Sequence, residues 1–206
     1  LFGDVNSNNY VKHMNELMVK DKVFAKEVSL SMLGDGSVLV SSPTGPLTRD
    51  YDDVRRYGDA VAKAIKRLRQ GGFRSPLLVV QGPPESSIDP LKDFSRHLEV
   101  SLLAALAECH EPLQTRESNP SYLEETLIEK IGLVAESEAR VLEAVEFAQA
   151  VEEGRRLARD VGSSDPERMT SLKAAQYIEE YFRGVAQPEV SCSLVKDPVV
   201  LSKEYP

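Results

Sequence analysis

The chain has 206 residues, 41% of them hydrophobic and 28% charged, with a formal net charge of -8 and a pI near 5.1. That is an ordinary globular mixture, long enough for one domain plus part of another, and its acidity argues against nucleic acid or an anionic membrane as partner. No stretch has the length and apolarity of a membrane span and none reads as a signal peptide. Two cysteines in no pattern, Cys109 and Cys192, suit a reducing, cytoplasmic setting. The first residue is Leu1, so the expectation is a true start further upstream.

Residues 8–20 carry a loose helical rhythm through Tyr10, Met14 and Leu17. The run 36–45, with Val38, Leu39 and Val40 between glycines, predicts a buried strand. Over 50–72, Val54, Val61, Ile65 and Leu68 share one helical face. Asp50 is its expected cap, Asp52 and Asp53 suit its positive end, Arg67 and Arg69 its negative end, and Gly71-Gly72 its stop. The continuous apolar run in 74–84 predicts a strand covered on both faces.

Asp89-Pro90 is the expected opening of a long helix with Leu91, Phe94, Leu98, Leu102, Ala105 and Cys109 as its stripe, ended by Pro112. Residues 112–122 read as loop and 126–135 as another strand. Ser137 is placed to cap a helix running from 138 to about 160, striped by Val141, Val145 and Ala148. After a Gly162–Pro166 break, Thr170 caps a further helix that Gly184 stops. Residues 188–197 alternate Val190, Cys192 and Leu194 as a half-buried strand would. Strands alternating with helices predict an α/β layered fold.

Chemistry is harder to find. His13, His97 and His110 form no metal-binding spacing, and neither cysteine belongs to a C-x-x-C pair. Cys109-His110-Glu111 are neighbours on a helix end and point in different directions. No G-x-S-x-G marks a nucleophile. The glycines of 33–38 lack a phosphate-loop pattern, and 81–87 places prolines where a phosphate cradle needs N–H donors. The carboxylate pairs Glu124-Glu125, Glu152-Glu153 and Glu179-Glu180 read as solvated helix faces. Ser164 and Asp165 are placed to cap a helix beginning at Pro166, an arrangement that either holds an anion or simply ends one element and starts the next. No residue of the chain is expected to be catalytic, cofactor-binding or metal-ligating.

The stretch EEGRRLARDVGSSDPERMTSLKAAQYIEEYF (152–182) resembles the junction of the leucyl aminopeptidase family, cytosolic dimetal exopeptidases. In that family a linker helix ends in an Arg-Asp pair, then an Asn-Thr-Pro-Pro-like break, then a Thr-led helix opening the catalytic domain. Arg159 and Asp160 match the pair, Pro166 the second proline and Thr170 the helix start. Ser163, Ser164 and Asp165 depart from the motif. The form resembles a divergent animal branch whose members are described only provisionally as aminopeptidases, as do SSPTGPLTRDYDDVRRY (41–57) and EPLQTRES (111–118).

The resemblance implies a three-layer macro-like N-terminal domain with a mixed sheet over 1–137, a linker helix over 138–161, and the truncated start of an α/β catalytic domain over 162–206. It implies a parent that removes N-terminal residues from peptides with two divalent metal ions, zinc or manganese, bound outside this stretch. A homo-hexamer is implied too, leaving this portion an assembly or regulatory role. Two other readings stay open, a macro-like module for a nucleotide or ADP-ribose, and a non-catalytic oligomerisation scaffold.

Overall fold

The computed structural model describes residues 7–83, 91–119, 121–122, 127–135, 137–184 and 191–205. Among them are helices α1 (Ser7–Lys20), α2 (Arg55–Gln70), α3 (His97–Glu108), α4 (Leu113–Ser118), α5 (Glu138–Gly162), α6 (Ser171–Gly184) and α7 (Pro198–Glu204), and strands β1 (Ser29–Met32), β2 (Val38–Ser41), β3 (Leu77–Val79) and β4 (Gly132–Val134). The fold is α/β, mostly helical with two small sheets. β1 and β2 are antiparallel, Met32 opposite Val38; β3 and β4 are parallel, Leu77 opposite Gly132. The chain divides into two compact units, Leu1–His110 with Asn119–Glu152, and Glu111–Ser118 with Glu153–Pro206.

The first unit is built on α2 against α3. The predicted stripe of α2 is real: Val61 and Ile65 are buried, and Leu68 packs against them. Gly58 brings the two helices together, because a Cβ there would lie 3.2 Å from Val100 Cγ1 and 3.4 Å from Ala104 Cβ. Leu98 and Leu102 of α3 are buried with Tyr57, Val80 and Phe94, and Ala144 and Ala148 of α5 close the same core, while Ala105 of α3 is buried with Val61 and Ile65. Burying each of the Leu, Val and Phe side chains is worth roughly 1.5–3 kcal/mol before entropy.

Several expectations shift at element ends. α2 starts at Arg55, not behind Asp50; its N-cap residue is Val54, with no side-chain cap, and Asp53 Oδ1 accepts from Arg55 N at 2.9 Å. It stops as expected, with Gly72 supplying the left-handed φ of +75°. α3 begins at His97, because Phe94 reaches the core from a turn and Leu91 stays 93% exposed. The Asp89-Pro90 opening lies outside the described residues.

The strands are shorter than their apolar runs. β3 is not covered on both faces: Leu77 is 53% and Val79 38% exposed. The strand expected over 126–135 narrows to β4; Ile128 enters the core from irregular backbone. β1, not expected from the sequence, joins β2 through a turn in which Gly36 takes φ +84°. The pair is inverted relative to the usual alternation. Leu30, Met32 and Val38 face solvent, while Ser31 is sheltered and bonded to His13 at 3.1 Å.

The stretch 112–122 is not loop throughout, since α4, in the second unit, occupies Leu113–Ser118. The strand expected over 188–197 is absent from its described part: Cys192 and Leu194 sit in irregular backbone leading to α7, and Val190 lies outside the described residues. Neither α4, α6 nor α7 has a buried residue. Among the described residues of this unit, what is buried is a charge, Asp160.

Candidate functional site

The Gly162–Pro166 break ends α5 by turning hydroxyls back on it. Ser163 Oγ donates to Arg159 O and Ser164 Oγ to Asp160 O, each at 2.5 Å, so hydroxyls meet carbonyls of the last turn, and Arg159 O also accepts from Ser163 N at 2.9 Å. Asp165 Oδ1 accepts from Glu167 N at 2.8 Å within a turn over 166–168, not a helix. The next helix starts at Ser171, with Thr170 Oγ1 3.4 Å from Lys173 N. The anion site weighed for this break therefore has no helix N-terminus behind Pro166, and its hydroxyl donors are already engaged.

Asp160 is the centre of the second unit. Its side chain is fully buried. Oδ1 forms an ion pair with Arg116 Nη2, Oδ2 accepts from the Tyr177 hydroxyl at 2.9 Å, and Arg156 Nε stands 3.9 Å from Oδ2, one turn back on α5. Arg116 Nε is in turn anchored on Glu111 O at 3.1 Å. Burial pushes the Tyr177 phenol above its ordinary value, and its bond to the Asp160 carboxylate adds to the shift. Both carboxylate oxygens are committed, so the group holds α4, α5 and α6 together.

The first unit buries two further carboxylates. Asp52 takes both Arg49 Nε and Nη2 at 2.9 Å, and Arg56 Nη2 at 2.7 Å. The Arg49 hydrogen bonds hold the Asp52 carboxyl well below the usual carboxylate range, against the opposing pull of desolvation. The Arg49 guanidinium lies 4.7 Å from the Tyr51 ring centroid. Glu99, on α3, has only its Oε1 engaged, 3.4 Å from Arg140 Nη2 and 4.0 Å from Arg96 Nη1.

The remaining sequence candidates are dispersed. His97 Nδ1 is 3.0 Å from Phe94 O and its ring packs 5.3 Å from Tyr57. Cys109 closes α3 and Cys192 is exposed. Glu179 pairs with Arg183 at 2.8 Å on the surface of α6, while Glu124-Glu125 lie outside the described residues. Among the described residues no three His, Cys, Asp or Glu side chains converge as a metal set. The three buried carboxylates each face guanidinium groups, which repel a cation, so the residues described here do not fit a dimetal centre. No described helix is long and apolar enough to cross a membrane.

The sequence points to Asp160 in the Arg159-Asp160 pair and to Asp52 in the segment 41–57, but not to the partners that fix them. Arg49, Asp52 and Arg56 had a local signal in their i,i+3 and i,i+4 spacing. Arg116 and Tyr177 reach Asp160 over 44 and 17 positions, and no local signal could have paired them.

No protein-family model matches the chain. It is 32% identical over 184 residues to a Caenorhabditis elegans protein described as a "putative aminopeptidase". That alignment covers 87% of this chain and 32% of the relative. Two solved structures are similar in fold. The bottromycin maturation enzyme BotP gives a TM-score of 0.59 at 18% identity, over 82% of this chain and 34% of BotP. BotP in complex with Mn gives 0.55 at 16% identity, over 80% and 32%. The chain thus spans about a third of the length of the proteins it matches.

Proposed function

We propose that this chain is the N-terminal portion of a metal-dependent aminopeptidase of the leucyl aminopeptidase type, and that this portion serves assembly or regulation. The observation that carries the reading is the 32% identity, over 87% of the chain, to the Caenorhabditis elegans protein. The fold likeness to BotP, one of whose structures holds Mn, is consistent with it. The Arg159-Asp160 junction supports the same reading, since Asp160 is a buried tie among three helices. In this reading the parent is a cytoplasmic homo-hexamer, with a macro-like first domain and two zinc or manganese ions held by residues beyond Pro206.

The test is hydrolysis of leucine p-nitroanilide with added Mn or Zn, comparing the 206-residue chain with the longer natural product of the same gene. The expected result is chelator-sensitive turnover by the longer protein and none by the chain alone. Robust turnover by the chain alone overturns the division of labour, and an inert longer protein overturns the activity.

A further inference from the structure

The sequence holds a single Asp-Gly pair, Asp35-Gly36, and the fold sets it in the turn between β1 and β2. Both residues are exposed, and a Cβ built on Gly36 would meet no described atom within 4 Å. The pair is chemically reactive. The Gly36 amide nitrogen and the Asp35 carboxyl can close a five-membered ring, because glycine has no Cβ to crowd the approach. Three hydrogen bonds of the turn bear on that reaction. Gly36 N donates to Leu33 O at 3.0 Å, Ser37 N donates to Asp35 Oδ1 at 2.9 Å, and Leu33 N donates to Ser37 O at 2.8 Å. The first occupies the nucleophile. The second fixes the carboxylate on Ser37 and holds Asp35 below its ordinary value, so the neutral acid that ring closure needs is scarce. The third closes the turn.

We propose that Asp35 is a site of isoaspartyl modification whose rate the hairpin turn sets, slow while the turn is closed and fast when it opens. Gly36 N attacks Asp35 Cγ and loses its proton, one carboxyl oxygen leaves as water, and a cyclic imide forms. Water then opens the ring. Addition at Cγ restores aspartate. Addition at the main-chain carbonyl carbon leaves the backbone running through Cγ and the free carboxylate on Cα. The water lost is regained, so the mass is unchanged and no further reactant takes part. The product carries one extra backbone carbon inside the turn that sets Met32 opposite Val38. Turn length fixes the register of a hairpin, so the modification works against that pairing. This chemistry is independent of the aminopeptidase reading.

The experiment is incubation of the 206-residue chain at neutral pH, folded in buffer and unfolded in guanidinium chloride. Isoaspartate is followed by peptide mapping and, after removal of denaturant, by methyl transfer from an isoaspartyl methyltransferase. The expected result is isoaspartate at residue 35, accumulating at least about ten-fold faster in the unfolded chain, since a bonded turn opens only rarely. Asp35→Glu, which would need a larger ring and alters an exposed side chain, should give no signal at that position. No isoaspartate at residue 35 in the unfolded chain removes the site. Accumulation in the folded chain as fast as in the unfolded one removes the control by the turn. Either result overturns the proposal.

Discussion

The Tyr177 hydroxyl donates to Asp160 Oδ2 at 2.9 Å while Arg116 pairs with Oδ1, so a single carboxylate ties α4 and α6 to the end of α5. Removing one member is unequal in effect. Tyr177→Phe loses one hydrogen bond to a charged group, an expected loss of about 1.5 kcal/mol. Asp160→Ala leaves the Arg116 guanidinium without its carboxylate, an expected loss of about 3 kcal/mol. Urea denaturation followed by circular dichroism checks the order. Equal losses, or none, would mean the tie does not hold the unit.

Asp52 sets an acid limit. Its carboxyl titrates well below the ordinary 3.8 because Arg49 and Arg56 bond its charged form. A depressed folded-state value contributes stability that is complete above pH 3.8 and is lost as pH falls through the folded value. Asp52→Asn lacks that contribution, so its urea midpoint is lower than that of the parent at pH 5 and changes less between pH 4 and pH 2. Parallel curves for the two proteins would count against the Asp52 network.

Tyr57 sets the opposite limit. Burial pushes its phenol from 10.0 up to about 12. A neutral acid raised in this way contributes stability that is complete below pH 10 and is lost as pH rises through about 12. The absorbance of phenolate near 295 nm should show a tyrosine ionising late and together with unfolding. Tyr57→Phe should remove that step and flatten the alkaline limb.

Gly58 tests the α2–α3 contact. Gly58→Ala trades a gain in helix propensity of about 1 kcal/mol against the 3.2 Å crowding with Val100 Cγ1, and the expected change is small. Gly58→Leu has no room, and overpacking should lower stability by about 2 kcal/mol or more. Thermal midpoints of the two variants check it, and an unchanged midpoint for Gly58→Leu would show the helices are not in close contact.

Where one helical face meets one core, the sequence was easy to read. Val61, Ile65 and Leu68 mark α2 directly, and Ala148 with Val141 marks the first half of α5. Reading failed where tertiary contact overrides local pattern. Leu91 and Phe94 continue the period of α3, yet only Phe94 is buried, from outside the helix. α4 has no apolar stripe to announce it, and its Arg116 is fixed by a residue 44 positions away. Leu30 and Met32 alternate as a strand should, but on the face turned to solvent. Glu99 looks like any helical glutamate in sequence; its burial, and the Arg140 of α5 that stands 3.4 Å from its Oε1, belong to the tertiary packing.

One uninterrupted helix, α5, carries Ala144 and Ala148 into the core of the first unit and Asp160 into the charge network of the second. No loop lies between Glu152 and Glu153, where one unit gives way to the other. A protease needs an extended strand of backbone and finds none there without first melting several turns. Dissecting the molecule at that point would leave two stumps with bare amides and carbonyls, so the halves are poor candidates for separate expression.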